Sequence, residues 1–92
     1  MPAVNFRVRW PDDSQSECYS PSTIIRDYVK AGQSLTIAEF AERSRSGLCA
    51  ASERVRQRYG YACSSAMDQL AQIERHCRKF KSDAIVEIVA MR

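Results

Sequence analysis

Ninety-two residues, 45% of them apolar, make a single domain spanning residues 1–92, because two separate hydrophobic cores of this size would not hold themselves together. Fourteen basic and eleven acidic side chains leave a net charge of +3, a mild excess that argues against a nucleic-acid partner, whose binders carry a heavier surplus on one face. No apolar run is long enough to span a membrane, and the opening "MPAVNFRVRW" breaks its apolar series with arginines where a secretory signal would be continuous, so a cytoplasmic protein is expected.

Residues 4–10 read as a strand, with Val4, Phe6, Val8 and Trp10 on one face and Asn5, Arg7 and Arg9 on the other. "PDDS" is turn chemistry, and a short second strand at about Ser16 to Tyr19 completes a hairpin. "SPSTIIRDYVKAG" reads as a helix with Ser20 as N-cap, Pro21 in the first helical position, an apolar stripe of Ile24, Ile25, Tyr28 and Val29, and Gly32 as its end. "TIAE" has the form of a capping box from Thr36 to Glu39, and it opens a long helix to about Tyr59 with Gly60 as the stop. Gly47 interrupts that helix at a cost of about 1 kcal/mol against alanine, which signals close packing, a kink or a break.

"CSSAMDQLAQIERHCRKF" predicts a third helix, capped by Ser64 or Ser65 and burying Ala66, Leu70, Ile73, Cys77 and Phe80. Arg75, Arg78, Lys79 and Lys81 gather near its C-terminus, where the helix dipole favours cations. Ala84 to Met91 reads as an internal strand, apolar except at Glu87. The expected fold is α+β, in the order β-β-α-α-α-β, with helices on one face of a sheet of about three strands. A right-handed crossover would place the last strand parallel to the first, in sheet order 2-1-3.

Little in this chain points to catalysis. Cys18, Cys49, Cys63 and Cys77 are widely spaced and form no CxxC pair, so free thiols are expected and neither a metal nor a cofactor is called for. His76 and Cys77 are neighbours on a helix, about 100° apart, which is poor geometry for one ion. Three glycines cannot supply a phosphate-binding loop. The arginines of the long helix alternate with Glu39, Glu42 and Glu53 as on a solvated, salt-bridged face. Cys18 precedes a helix start and is the candidate nucleophile, but no base can be assigned to it, and no catalytic residue is named. The alternatives left open are a small cysteine-dependent enzyme using Cys18 and a weak nucleic-acid-binding regulator.

The stretch 9–27 mixes aromatic and charged groups of the kinds found at recognition sites, and Arg9, Trp10, Cys18, Tyr19, Ser20, Ser22 and Asp27 are its candidate ligand- or partner-binding residues. Whether Trp10 is core or surface is open at this level, because its strand face is otherwise apolar.

"RVRWPDDSQSECYSPSTIIRDY" followed by "AEFAERSRSGLCAASERVRQRYGYACSSAMDQLAQIE" resembles the small bacterial nitrogen-starvation response proteins. The family-like pieces include residues 9–12, 18–22, 27–28, 42–44, 51–56 and 59–60, and the resemblance spans residues 6–74. The family's turn is Pro-Asp-Gly, where this chain has Pro11-Asp12-Asp13. Such proteins are typically encoded beside a nitrilase-type carbon–nitrogen hydrolase, in clusters with a radical-SAM protein, an acetyltransferase-like protein and a flavoprotein. The resemblance implies a small accessory or regulatory binding protein of nitrogen-starvation metabolism. Its partner would be a protein from the same gene cluster or a small metabolite, with a homo-oligomer left open.

Overall fold

A computed structural model describes residues 3–60 and 64–92. β1 (Val4–Arg9) and β2 (Gln15–Ser20) form an antiparallel hairpin. Strand alternation buries Val4, Phe6 and Val8 and turns Asn5, Arg7 and Arg9 to the other face. In the connecting turn Asp13 N donates to Trp10 O at 2.9 Å and Trp10 N to Ser14 O at 2.8 Å. Asp13 has φ 68°, so Pro11-Asp12-Asp13 is a three-residue hairpin loop whose last position takes the left-handed conformation that favours glycine. The departure from Pro-Asp-Gly therefore keeps a turn suited to glycine and puts aspartate in its strained position. Asp12 Oδ1 accepts from Ser14 N at 3.0 Å and steadies the loop.

The segment after β2 departs from expectation. Instead of an α-helix starting at Ser20, a 3₁₀ turn covers Thr23–Asp27, with Ser22 as its N-cap. Three consecutive β-branched residues, Thr23, Ile24 and Ile25, disfavour a longer helix. Gly32, at φ 83°, then donates its N–H to Ile88 O at 2.7 Å and ties the chain to the sheet. That tether leads into β3 (Ser34–Thr36), a strand not foreseen from the sequence, where three residues carry too little pattern.

With the first expected helix reduced to a 3₁₀ turn, the described residues hold two α-helices in place of the expected three. α1 (Ile37–Tyr59) is capped by Thr36, whose Oγ1 accepts from Glu39 N at 3.1 Å, and ends at Gly60 in the left-handed conformation. α2 (Ser64–Cys77) buries Ala66, Leu70, Ile73 and Cys77. The cap expected at Ser64 or Ser65 would sit inside this helix, and Cys63 just before it lies outside the described residues. Phe80 follows in a turn and packs, partly buried, against the core.

β4 (Ile85–Met91) completes a four-stranded sheet in the order β2-β1-β4-β3. It does lie beside β1, but antiparallel to it and to β3, correcting the parallel expectation. The reason is the helix pair. Ile37 N donates to Ala84 O at 2.9 Å and Ala38 N to Ser82 O at 3.1 Å. The chain thus returns from α2 to the end of the sheet from which α1 left, and β4 runs back against both neighbours. The α+β class stands.

Both helices pack on one sheet face, over a core that includes Trp10, Phe6, Phe40, Ile25, Leu48, Ile73 and Ile88. Gly47 is where α1 meets the 3₁₀ segment. A Cβ there would lie 2.5 Å from Ile25 Cδ1 and 3.2 Å from the Tyr28 ring. Close packing is therefore the role of this glycine.

Two substitutions test these backbone arguments. Gly47→Ala should lower the unfolding free energy by about 1–2 kcal/mol in urea denaturation, overpacking outweighing better helix propensity. A raised midpoint would mean that Ile25 turns away at no cost. Asp13→Gly should raise stability by about 0.5–1 kcal/mol by relieving the left-handed strain, and a loss would contradict the turn assignment.

Candidate functional site

The seven residues of the 9–27 stretch are not brought to one surface. β1 and β2 divide them by alternation. Trp10 and Cys18 are each 2% exposed on the helix-facing side, and Ser20 and Ser22 are buried with them. Arg9 and the half-buried Tyr19 lie on the opposite, open face of the sheet, where Arg9 pairs with Glu87 at 3.0 Å and Arg7 with Glu17 at 2.7 Å. Asp27 is exposed at the end of the 3₁₀ turn.

Ser20 and Ser22 satisfy each other. Ser20 Oγ donates to Ser22 O at 2.8 Å and accepts from Ser22 N at 3.3 Å, while Ser22 Oγ accepts from Ile24 N at 3.3 Å. Their hydroxyls hold the junction in shape and leave little for a ligand to use.

Trp10 is core, and it also joins the hairpin to α2. Its ring lies edge-on to Phe40, centroids 5.6 Å apart, and stacks with His76 at 5.0 Å and Phe80 at 5.9 Å. Its Nε1 donates to Ser16 Oγ at 2.9 Å, so the one polar atom of the indole is satisfied. Where Trp10 and β2 meet α2, a cleft of about 220 Å³ opens, lined by Trp10, Ser16, Glu17 and Cys18 from the hairpin and Gln69, Gln72, Ile73 and His76 from the helix. At its far end Tyr19 N donates to Gln69 Oε1 at 3.1 Å, a strand amide met by a helix side chain.

Gln69 and Gln72 were not singled out from the sequence, and His76 was weighed there only as a metal ligand beside Cys77 and set aside. The signal available was their spacing of three and four, one step around α2 from its buried line. A second cleft, about 280 Å³ between Tyr28 and Glu39, Glu42, Arg43 and Ser46 of α1, brings together none of the seven candidates. The β2–α2 cleft contains Trp10 and Cys18, and is the stronger candidate.

The electrostatics disfavour nucleophilic use of Cys18. Burial, with a smaller push from the Glu17 carboxylate, moves its thiol from an ordinary 9.0 up to about 12. Burial likewise raises Cys77 to about 11. His76 turns Nδ1 towards Gln72 O at 3.2 Å and stacks its ring on Trp10. Among the described residues no three His, Cys, Asp or Glu side chains are grouped to hold a metal ion, and no helix is long and apolar enough to cross a membrane.

A thiol whose folded pKa is raised adds stability below its unfolded pKa, and that stability is lost as pH climbs towards the folded value. Unfolding free energy should therefore fall from pH 9.0 upward, with Cys18 contributing about 1.4 kcal/mol per pH unit until about pH 12. Cys18→Ala should remove that part of the slope. Iodoacetamide at neutral pH should label exposed Cys49 well before Cys18 or Cys77, and rapid labelling of Cys18 in the folded chain would contradict its burial.

A family model described as the nitrogen starvation-induced protein NitG matches residues 5–91, nearly the whole chain, and the chain belongs to that family. No curated protein and no solved structure matches it.

Proposed function

From a chain of the nitrogen starvation-induced family, we propose an accessory protein that acts by binding and not by catalysis, with the β2–α2 cleft as its site. The carrying observation is that this cleft is furnished for recognition but not for reaction. Its rim offers carboxamide, hydroxyl, carboxylate and imidazole groups over an apolar floor of Trp10, Cys18 and Ile73. Its one thiol, raised to about 12, leaves roughly one molecule in 10⁵ as thiolate at neutral pH.

The partner is a protein encoded in the same gene cluster, such as the nitrilase-type hydrolase, or a small metabolite of nitrogen scavenging. The family resemblance supplies these two classes. The site of action is the cytoplasm.

Purified chain should be titrated calorimetrically with each separately expressed neighbour and with small amides and amines. The expected outcome is a stoichiometric complex without turnover, weakened about tenfold or more by Gln72→Trp, which fills the cleft from an exposed helix position. Binding unaffected by Gln72→Trp, in a variant that melts like the parent, would place the site elsewhere. A turnover abolished by Cys18→Ser would replace the binding reading with an enzymatic one.

A further inference from the structure

The strand that walls the cleft is also an edge of the sheet, and its free side is open over part of its length. Among the described residues β2 pairs only with β1. Asn5 N and O both bond Arg92 on the β4 side, at 3.2 and 2.8 Å, so the Asn5–Tyr19 pair exchanges no bonds across the hairpin. Tyr19 N points outward instead and meets Gln69 Oε1 at 3.1 Å. By the same alternation, the N–H and C=O of Glu17 and Gln15 point away from β1, and both residues are exposed. The Gln69 carboxamide thus stands where the carbonyl of an added strand would stand, at one end only.

Folded proteins usually shield such an edge with proline, lysine, a bulge or a covering element. β2 contains no proline and no lysine, and the sheet's one irregular register lies on the β1–β4 side. Helix α2 runs beside this edge, with Gln69, Gln72 and His76 lining the cleft from below. An added strand would lie about 4.8 Å from β2, over those side chains.

We propose that β2 receives an extended, basic segment of a partner protein as a fifth strand, and that the β2–α2 cleft takes the inward side chains of that segment. The inference rests on the cleft being the binding site, and it selects a protein segment over a small metabolite. Main-chain bonds to Gln15 and Glu17 supply affinity. Alternate side chains of the segment divide between the cleft and the open sheet face. The charge preference comes from the hairpin. Asp12, Asp13 and Glu17 line its turn and outer strand, and among the described residues Glu17 is engaged by the surface pair with Arg7. A lysine or arginine opposite Glu17 is complementary, and an acidic residue there is repelled.

The test uses the synthetic peptide acetyl-Thr-Lys-Val-Lys-Thr-amide, which alternates small inward residues with outward lysines, titrated into the full chain by NMR. Saturable shifts of the Gln15, Glu17 and Tyr19 amides are expected. N-methylating alternate amides of the peptide should weaken binding about tenfold, since two main-chain bonds are lost while every side chain remains. Glu17→Pro removes one outward donor at an edge position where proline is tolerated, and should weaken binding several-fold with melting unchanged. Val and Thr with the lysines replaced by glutamates should bind more weakly still.

Absence of peptide binding at millimolar concentration, or equal binding of the N-methylated peptide, overturns the proposal. Dimerisation of the chain through β2, seen by sedimentation and lost in Glu17→Pro, also overturns it by giving the edge to a second copy. A partner complex sensitive to Gln72→Trp but indifferent to Glu17→Pro would leave the cleft as the site and remove strand addition. Indifference to both would remove the cleft itself.

Discussion

The burial of Trp10 is the constraint on which the rest of the molecule depends. It sits one residue past β1, where the chain must turn, and its ring reaches Phe40 of α1, His76 of α2 and Phe80 beyond it. A large indole in that position joins the hairpin, both helices and the turn that leads into β4. Its Nε1 is bonded to Ser16 across the hairpin, so the ring is seated without an unsatisfied donor, which would cost about 1–3 kcal/mol. The β2–α2 cleft exists because this ring holds α2 beside β2 at one end and the Gln69–Tyr19 bond holds it at the other.

That arrangement explains why the segment rich in candidate groups is not a single surface. A strand sends successive side chains to opposite faces, so Arg9 and Trp10 part company, as do Cys18 and Tyr19. The same burial that draws Cys18 beneath the sheet raises its thiol well above the ordinary range. What remains accessible along β2 is its backbone edge, the side chains of Gln15 and Glu17, and the polar rim contributed by α2.

Much of the architecture was legible where one physical signal dominated. Alternation in residues 4–10 located β1, the Thr36 cap located the start of α1, and Gly60 located its end. Gly47 signalled close packing, a kink or a break, and the closeness of Ile25 and Tyr28 decides for packing. The misses arose where signals competed. Ile24, Ile25, Tyr28 and Val29 have helical spacing, but the β-branched run and the Gly32–Ile88 bond leave only a 3₁₀ turn. Thr36 serves both as helix cap and as the last residue of β3, paired with Ile85, and the cap masked the strand. The cleft drew three of its eight lining residues from Gln69, Gln72 and His76, which carry no motif and acquire meaning only when α2 is set beside β2.

Trp10 is the only tryptophan, so its fluorescence reports directly on the seat at the centre of this account. Emission and acrylamide quenching should be measured on the native chain and again in urea. A buried ring stacked with His76 and Phe80 should emit at short wavelength, resist acrylamide, and change to solvent-exposed behaviour only in the cooperative unfolding transition. A native emission like that of free tryptophan, quenched equally fast, would contradict the placement of Trp10 and with it the cleft that it walls.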